Sequence, residues 1–278
     1  MMSKSAGILI LSMFIVFISP VSGYPLTYVL PDPSATEIWG EGTGVHSGAA
    51  LAQGDVNGDG YGDIIIGAPF VSLPGREKAG AVYVIFGGES FPSGSPVDLG
   101  AGGASMVIQG AATGDLLGAS LGVGDVNGNG IDDIIIGAPG VDTPGTDPAG
   151  VAYVIFGNQS LPSSFDLLST PADVTIVGEQ RKWDYNLGIA IAAGDVDGDN
   201  VNDIILGFRG ANSSAGKVYL VLGKPTIAGV IYLSSSADQK IYGAEAKSLM
   251  GDRLASGNIN GDAYGLCAVW NSVFSCPR

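Results

Sequence analysis

The stretch GDVNGDGYGDIIIGAP at residues 54–69 recurs as GDVNGNGIDDIIIGAP at 124–139 and as GDVDGDNVNDIILGFR at 194–209. The step between copies is 70 residues both times, and a fourth copy begins at 257 as GNINGDAYG before the pattern stops. A fixed period indicates a repeat architecture in which each copy builds one supersecondary unit. The chain is therefore predicted to contain three complete units and part of a fourth.

Each unit contains four short apolar runs, separated by glycine, proline, asparagine and serine residues. In the first unit they are SGAALAQG (47–54), DIIIGA within the core motif, AGAVYVIFG (79–87) and ASMVIQG (104–110). Runs rich in Val, Ile and Tyr predict strands, and none keeps the 3.6-residue period of a helix. Four antiparallel strands per unit indicate an all-β fold, a partial β-propeller of four-stranded blades. A solenoid is excluded because 70 residues per unit is too long for one.

Composition agrees with a turn-rich β protein and excludes one class of partner. Glycine supplies 45 of 278 residues, about twice the usual share, and charged residues are only 14%. Acidic residues outnumber Lys plus Arg by 27 to 12, a formal net charge of −15. Nucleic acids are bound by clustered basic residues, so we expect no nucleic-acid partner.

The N-terminus has the pattern of a secretory signal. Lys4 precedes an apolar run from Ala6 to Ile18, and small residues follow it. The run is shorter than the ~20 residues that a membrane-spanning helix needs. We therefore expect a secreted, extracellular or cell-surface protein that does not span the membrane after cleavage. The predicted divisions are a signal peptide at 1–23, a linker at 24–34, the repeats at 35–264 and a divergent tail at 265–278.

An acidic pattern, D-x-[DN]-x-[DN]-x-x-x-D, lies between the first two strands of each unit. Oxygen atoms at positions 1, 3, 5 and 9, with the main-chain carbonyl of position 7, suit a hard cation that takes six to eight oxygen ligands. An EF-hand is excluded because position 12, where it needs an acid, is Ile66, Ile136 or Leu206. We therefore predict about three Ca²⁺ sites. The predicted ligands are Asp55, Asn57, Asp59, Tyr61 and Asp63 in loop one, Asp125, Asn127, Asn129, Ile131 and Asp133 in loop two, and Asp195, Asp197, Asp199, Val201 and Asp203 in loop three.

The three loops differ in charge. Their ligand carboxylates number three, two and four in chain order, so we expect loop three to bind Ca²⁺ most tightly and loop two least. The fourth copy has Asn258 at position 1 and Leu266 at position 9. Because it lacks acids at both positions, we expect it to bind no metal.

These motifs resemble the FG-GAP repeat family, the blade repeat of integrin α-subunit propellers. The resemblance covers about 35–264 and implies calcium in the loops and an extracellular binding role, often adhesion. The third unit departs from both motifs, with Leu222-Gly223 and Gly207-Phe208-Arg209. The matching residues are Phe86-Gly87 and Phe156-Gly157 for "FG", and Gly67-Ala68-Pro69 and Gly137-Ala138-Pro139 for "GAP".

The number of units predicts an incomplete ring. The family usually closes seven blades, so three units and part of a fourth favour a truncated copy of a longer protein. Two alternatives stay open. In one, residues 35–40 complete the last blade of a four-bladed ring. In the other, two incomplete propellers associate into one ring.

The sequence favours a non-catalytic adhesion or ligand-binding module, and hence no enzyme. His46 is the only histidine, and no cysteine lies near a basic partner. The alternative is a carbohydrate-binding or accessory propeller domain of an extracellular hydrolase or polysaccharide lyase, since such domains occur in the family.

A ligand face is predicted in the most variable loops, which lie at the end of the blades away from the acidic loops. It comprises Arg181, Lys182, Trp183 and Tyr185, a mixture typical of interfaces. We expect it to bind an extracellular protein or glycan. The sequons at Asn158 and Asn212 predict glycosylation, and a Cys267–Cys276 disulfide stays open.

Overall fold

The computed structural model describes residues 36–89, 91, 96–142, 149–179, 190–208, 215–245, 249–257, 266–269 and 272–273. Several predictions fall outside these described residues. They are the signal peptide, the linker up to residue 34, the ligand face at 181–185, the fourth loop at 258–262, Asn212 and Cys276.

The regular secondary structure of the described chain is almost all short strands, with one helical turn, α1 (Leu233–Ser236). The strands are β1 (Ile38–Trp39), β2 (Ala50–Gly54), β3 (Asp63–Ala68), β4 (Ala81–Ile85), β5 (Val97–Asp98), β6 (Met106–Gln109), β7 (Ser120–Gly124), β8 (Asp133–Ala138), β9 (Val151–Ile155), β10 (Ser164–Asp166), β11 (Val174–Val177), β12 (Ala190–Gly194), β13 (Asp203–Phe208), β14 (Lys217–Val221), β15 (Gly229–Tyr232), β16 (Gln239–Tyr242), β17 (Leu254–Gly257), β18 (Leu266–Val269) and β19 (Ser272–Val273).

Three antiparallel sheets confirm the predicted blades. Blade one contains β2, β3, β4 and β6, blade two β7, β8, β9 and β11, and blade three β12, β13, β14 and β16. A further sheet of β17, β18 and β19 follows, so strands continue into the segment 265–278. The first strands β2, β7, β12 and β17 contact one another in that order. The sheets therefore form a partial propeller with the first strand of each blade innermost.

A parallel outer strand, which the sequence analysis did not predict, joins each blade to the next. Strand β10 lies between the third and fourth strands of blade two, yet it pairs with β6 of blade one. In the same way, β15 of blade three pairs with β11 of blade two. Blades one and two therefore have five strands each, and the fifth comes from the following blade.

Strand β1 holds the place before blade one that β6 holds before blade two and β11 before blade three. It pairs in parallel with β5, which lies between the third and fourth strands of blade one. It does not pair with the sheet of β17, β18 and β19, in which the described residues form three strands. In the part of the chain that the structure describes, residues 36–40 therefore do not complete the last blade, as the four-bladed closure would require.

The core lies between neighbouring blades. The DIIIGA segment of β8 is buried at every residue because blades one and three cover both of its faces. Leu51 in β2 is 45% exposed, whereas the matching Leu121 and Ile191 are each 8% exposed. No described blade covers the face of blade one that lies away from blade two, and this accounts for the difference.

Two ion-pair clusters also link blades. The Arg76 guanidinium, in the β3–β4 loop of blade one, pairs with Asp166 of β10. Glu179, which follows blade two, accepts hydrogen bonds from the Lys217 and Lys240 ammonium groups of blade three at 2.7 and 3.3 Å. Both clusters therefore tie side chains of one blade to residues that belong to its neighbour.

Candidate metal centre

The three acidic loops connect the first and second strands of each blade: loop one is 55–63, loop two 125–133 and loop three 195–203. Each begins directly after the first strand and ends on the first residue of the second strand. Sheet geometry therefore holds positions 1 and 9 of each loop, and the intervening residues wind between them.

The position-9 carboxylates are the most deeply placed groups of the loops. Asp63 and Asp133 are 0% exposed and Asp203 is 1% exposed. Asp203 accepts two backbone hydrogen bonds, Oδ2 from the Val196 amide at 2.8 Å and Oδ1 from the Gly223 amide at 2.9 Å. The same two bonds form in loops one and two. The glycine of the "FG" motif thus fixes the closing carboxylate, a role that the sequence analysis did not recognise.

The position-1 carboxylate accepts hydrogen bonds from backbone amides of its own loop. In loop three, Asp195 Oδ1 accepts from Gly198 and Asp199, and Oδ2 accepts from Asn200 at 2.9 Å. This winding needs a positive φ at position 6, where Gly60 has 87° and Gly130 has 84°. Asn200 takes φ 68° at that place, because asparagine tolerates the left-handed region better than most residues. The replacement therefore leaves the loop conformation intact.

Side chains at positions 3 and 5 also stabilise the turn. Asp197 Oδ1 accepts from the Asp199 amide at 3.2 Å, and Asp199 Oδ1 accepts from the Val201 amide at 2.9 Å. Each bond spans two residues, as in an Asx turn. The polar residues of the pattern therefore build the loop as well as offer oxygen ligands.

Loop three brings three predicted ligands together. Carboxylate oxygens of Asp195, Asp197 and Asp203 lie within 4.8 Å of one another. In the part of the chain that the structure describes, no other set of three or more potential ligand side chains is as closely spaced. Asp199 at position 5 lies outside the group. The three predicted ligand acids of loop one do not converge as closely, and loop two has only two ligand acids. This arrangement favours loop three as the strongest cation site.

Burial makes these carboxylates unfavourable as bare anions. It raises the pKa of Asp133 to about 7 and that of Asp203 to about 6, and it also raises the pKa of Asp63. Neighbouring aspartates raise each pKa further, while the backbone hydrogen bonds oppose the shift. A cation in the loop favours the charged form.

The donor set passes the test for calcium. It offers only oxygen atoms, which Ca²⁺ prefers, and Ca²⁺ accepts a variable coordination geometry. A carboxylate has about four acceptor sites, so the two backbone bonds of each position-9 aspartate leave oxygen lone pairs for a cation. Asp195, Asp197 and Asp203 would therefore contact the ion in loop three, with the remaining predicted ligands around them.

The described helix cannot span a membrane, since it has neither the length nor the apolar composition to do so. Asn158 is exposed, three residues after the end of β9, and its Oδ1 accepts a hydrogen bond from the Ser160 amide at 2.9 Å. Glycosylation there stays a prediction.

Comparison with protein families gives a match to the FG-GAP repeat at residues 47–85, 117–155 and 187–221. Each matched segment runs from before the first strand to the third strand of one blade. Each therefore includes one complete acidic loop. The three matches coincide with blades one, two and three.

Comparison with curated proteins finds phospholipases D and integrin alpha subunits. Phosphatidylinositol-glycan-specific phospholipase D of Rattus norvegicus is 34% identical over 188 residues, 67% of this chain and 20% of the relative. The protein of that name from Dictyostelium discoideum is 30% identical over 222 residues, 75% of this chain and 23% of the relative. Integrin alpha-PS2 of Drosophila melanogaster is 28% identical over 221 residues, 76% of this chain and 14% of the relative. This chain thus spans about a fifth of the length of the phospholipases that it matches.

The expectation that the protein is not an enzyme is wrong. The phospholipases D that it resembles at 30–34% identity are enzymes. The expectation rested on the scarcity of catalytic side chains among the repeats. Those repeats match only about a fifth of the length of the phospholipases, so their composition does not decide the activity of a whole protein.

Proposed function

Given that this chain is an FG-GAP repeat protein, we propose that its acidic loops bind Ca²⁺ and that its blades form the propeller of an exported hydrolase. The hydrolase is of the phospholipase D type, and its substrate class is the phosphatidylinositol-glycan. The Ca²⁺ ions hold the loops together, so that the blades present a rigid surface to the substrate or to the rest of the enzyme.

One observation carries the hydrolase assignment. Proteins named phosphatidylinositol-glycan-specific phospholipase D match this chain over as much as 75% of its length. Because the chain spans only about a fifth of these relatives, the assignment concerns the kind of protein to which such blades belong. The blades themselves supply the scaffold.

Three features support Ca²⁺ in an exported protein. Asp195, Asp197 and Asp203 converge in loop three, and the position-9 carboxylates are buried in all three blades. The signal sequence predicted at 1–23 leads to the cell exterior, where calcium is abundant enough for sites of modest affinity.

The test is a hydrolysis assay on the natural protein that carries these blades, captured from the medium of its own cells with an antibody against the repeats. Vesicles carrying a glycosylphosphatidylinositol-anchored reporter are incubated with the protein in Ca²⁺ or in chelator. Phospholipase D chemistry leaves phosphatidic acid in the vesicle and frees the reporter with its inositol-glycan. We expect both products in Ca²⁺ and neither in chelator. Absence of phosphatidic acid in Ca²⁺ would overturn the hydrolase assignment.

A second candidate function is the binding of an extracellular protein or glycan. The match to integrin alpha-PS2 over 76% of the chain favours it. The predicted ligand face at 181–185 lies outside the described residues, so it stays a prediction. Loss of glycan-array or receptor binding in Trp183→Ala, with an unchanged melting temperature, would support this candidate. Retained binding would remove Trp183 from the face.

A further inference from the structure

Loops one and two are each held by the next blade as well as by their own. The Asp55 amide, at position 1 of loop one, donates to Asp132 Oδ2 at 3.0 Å. The Asp132 amide in turn donates to the Asp55 carbonyl at 3.0 Å. Asp132 is position 8 of loop two, so a residue of blade two closes a reciprocal pair of hydrogen bonds on the first ligand residue of blade one.

The same reciprocal pair joins loops two and three. The Asp125 amide donates to Asn202 Oδ1 at 2.9 Å, and the Asn202 amide donates to the Asp125 carbonyl at 2.7 Å. Asn202 is again position 8. Asp132 accepts the bond with a carboxylate oxygen and Asn202 with an amide oxygen. The common requirement at position 8 is therefore an oxygen atom at the δ position of the side chain.

Strand geometry explains why position 8 reaches backwards. Successive side chains of an extended segment point to opposite sides, so Asp133 turns into its own loop while Asp132 turns towards the preceding one. A glycine at the residue before position 1 makes room for the side chain. A Cβ on Gly54 would lie 2.5 Å from Asp132 Oδ2, and one on Gly124 would lie 2.8 Å from Asn202 Oδ1.

Further contacts strengthen the same junction. The Asn158 amide of blade two donates to the Val56 carbonyl of loop one at 3.1 Å, and the Lys224 amide of blade three donates to the Val126 carbonyl of loop two at 3.0 Å. Position 2 of loops one and two is thus also held by the following blade. Loops one and two therefore have a supporting layer that belongs to the neighbouring repeat.

We propose that Asp132 and Asn202 are positioning residues for the metal site of the preceding blade, and that Ca²⁺ binding is coupled between neighbouring loops. This inference rests on the proposed calcium binding. An ion in loop two holds Asp133 in place and with it the adjacent Asp132. Asp132 then orders position 1 of loop one before an ion arrives there.

The identity of position 8 also changes the expected order of affinities. Asp132 brings a carboxylate to loop one in addition to that loop's three ligand carboxylates, whereas loop two receives only the neutral amide of Asn202. Affinity of a calcium loop rises with the number of its charges. Loop one should therefore lie closer to loop three than the count of ligands alone predicts.

The chain offers a probe that is specific for loop one. Position 7 is Tyr61 in loop one but Ile131 and Val201 in the others, so Tyr61 can sensitise the luminescence of Tb³⁺ bound beside it. The experiment titrates the full chain with Tb³⁺, displaces the Tb³⁺ with Ca²⁺, and uses Tyr61→Phe to identify the loop-one signal. Glu77→Ala is the matched control, because it removes an exposed charge at the opposite end of blade one.

Loss of a partner that orients a metal ligand typically weakens metal binding by about tenfold or more. We expect that loss for Asp132→Ala, about threefold at most for Asp132→Asn, which keeps the side-chain oxygen, and no change for Glu77→Ala. Asp125→Asn, which removes a ligand from loop two only, should weaken the loop-one signal by about fivefold through the coupling.

The outcomes separate the two claims. A wild-type protein without a Tyr61-dependent signal that Ca²⁺ displaces would refute the proposed calcium binding itself. A normal wild-type signal with an unchanged titration in Asp132→Ala overturns the positioning role, and an unchanged titration in Asp125→Asn overturns the coupling. Should Asp132→Ala lose the circular dichroism spectrum of the wild type, the same titration of Asp132→Ser, whose shorter side chain lacks the δ oxygen, decides the positioning role, and Asp125→Asn decides the coupling.

Discussion

Arg76 and Asp166 form a bidentate ion pair between two blades, with Nη1 and Nη2 of the guanidinium 2.7 and 2.9 Å from the two carboxylate oxygens. Arg76 belongs to blade one, and Asp166 lies in β10, which blade two contributes to the outer edge of blade one. Arg76 Nη1 also donates to the Gly110 carbonyl at 2.6 Å. The pair therefore fastens the parallel strand that joins the two blades.

Replacing Arg76 should loosen this junction. The side chains of Arg76 and Asp166 are 14% and 29% exposed, so each charge-assisted hydrogen bond contributes more than on an open surface. We expect Arg76→Ala to lower the free energy of unfolding by about 2 kcal/mol. Arg76→Lys should recover less than half of this, because a lysine cannot form the planar fork. Urea unfolding of the three proteins checks the order, and equal midpoints would contradict it.

The ion pair also predicts a pH dependence. The hydrogen bond from Arg76 lowers the pKa of Asp166 below the usual value of an aspartate. A carboxylate with a lowered folded-state pKa stabilises the protein above its unfolded pKa, and this contribution disappears as the pH falls through the folded-state pKa. The stability difference between wild type and Asp166→Asn should therefore be constant above about pH 5 and shrink below about pH 4. Thermal melts of both proteins from pH 6 to 3.5 measure it. A difference that grows towards acid would contradict the assigned role.

Two aspartates of loop three should differ in importance. Asp203 lies in the converging group and accepts two backbone amides, whereas Asp199 lies outside that group. We expect Asp203→Asn to abolish most of the Ca²⁺-induced rise in melting temperature that loop three provides, and Asp199→Asn to reduce it by less than half. Melts of each variant in Ca²⁺ and in chelator test this. Equal losses would contradict this prediction, because they would show that Asp199 and Asp203 contribute equally to Ca²⁺ binding.

Close packing between blades makes the glycine of the "GAP" motif essential. A Cβ on Gly67 would lie 2.1 Å from the Gly118 carbonyl oxygen of the next blade. We expect Gly67→Ala to lower the free energy of unfolding by about 2–3 kcal/mol, because the backbones would have to separate. Gly42→Ala is the control, since a Cβ there meets nothing within 4 Å. Chemical unfolding should leave the control within about 0.5 kcal/mol of wild type.

The blades and the acidic loops could be predicted because their signals are local. The DIIIGA segment combines β-branched residues with complete burial, and the regular spacing of Asp and Asn marks each loop in the sequence itself. Each of these signals occurs three times at the same spacing, which makes it more specific than in a single copy. The sequence alone was therefore sufficient to predict the blades and the acidic loops.

The links between blades could not be predicted, since they join residues far apart in the chain. Strand β10 has three residues, and its partner β6 lies more than fifty residues before it. Parallel pairs have no connecting turn to signal them. Position 8 was likewise missed because its residues, Gly62, Asp132 and Asn202, share no type. Only the structure shows that Asp132 and Asn202 form the same hydrogen bonds with position 1 of the preceding loop.

The most direct test of calcium binding is the melting temperature of the full chain in millimolar Ca²⁺ and in excess chelator, measured by calorimetry. Each occupied site adds about 3 kcal/mol when free Ca²⁺ is one hundred times the dissociation constant. For a chain of this size, each kcal/mol raises the melting temperature by about 2–4 °C. We therefore predict a rise of about 10 °C or more, reduced in Asp195→Asn. A melting temperature that is the same with Ca²⁺ and with chelator would contradict the account.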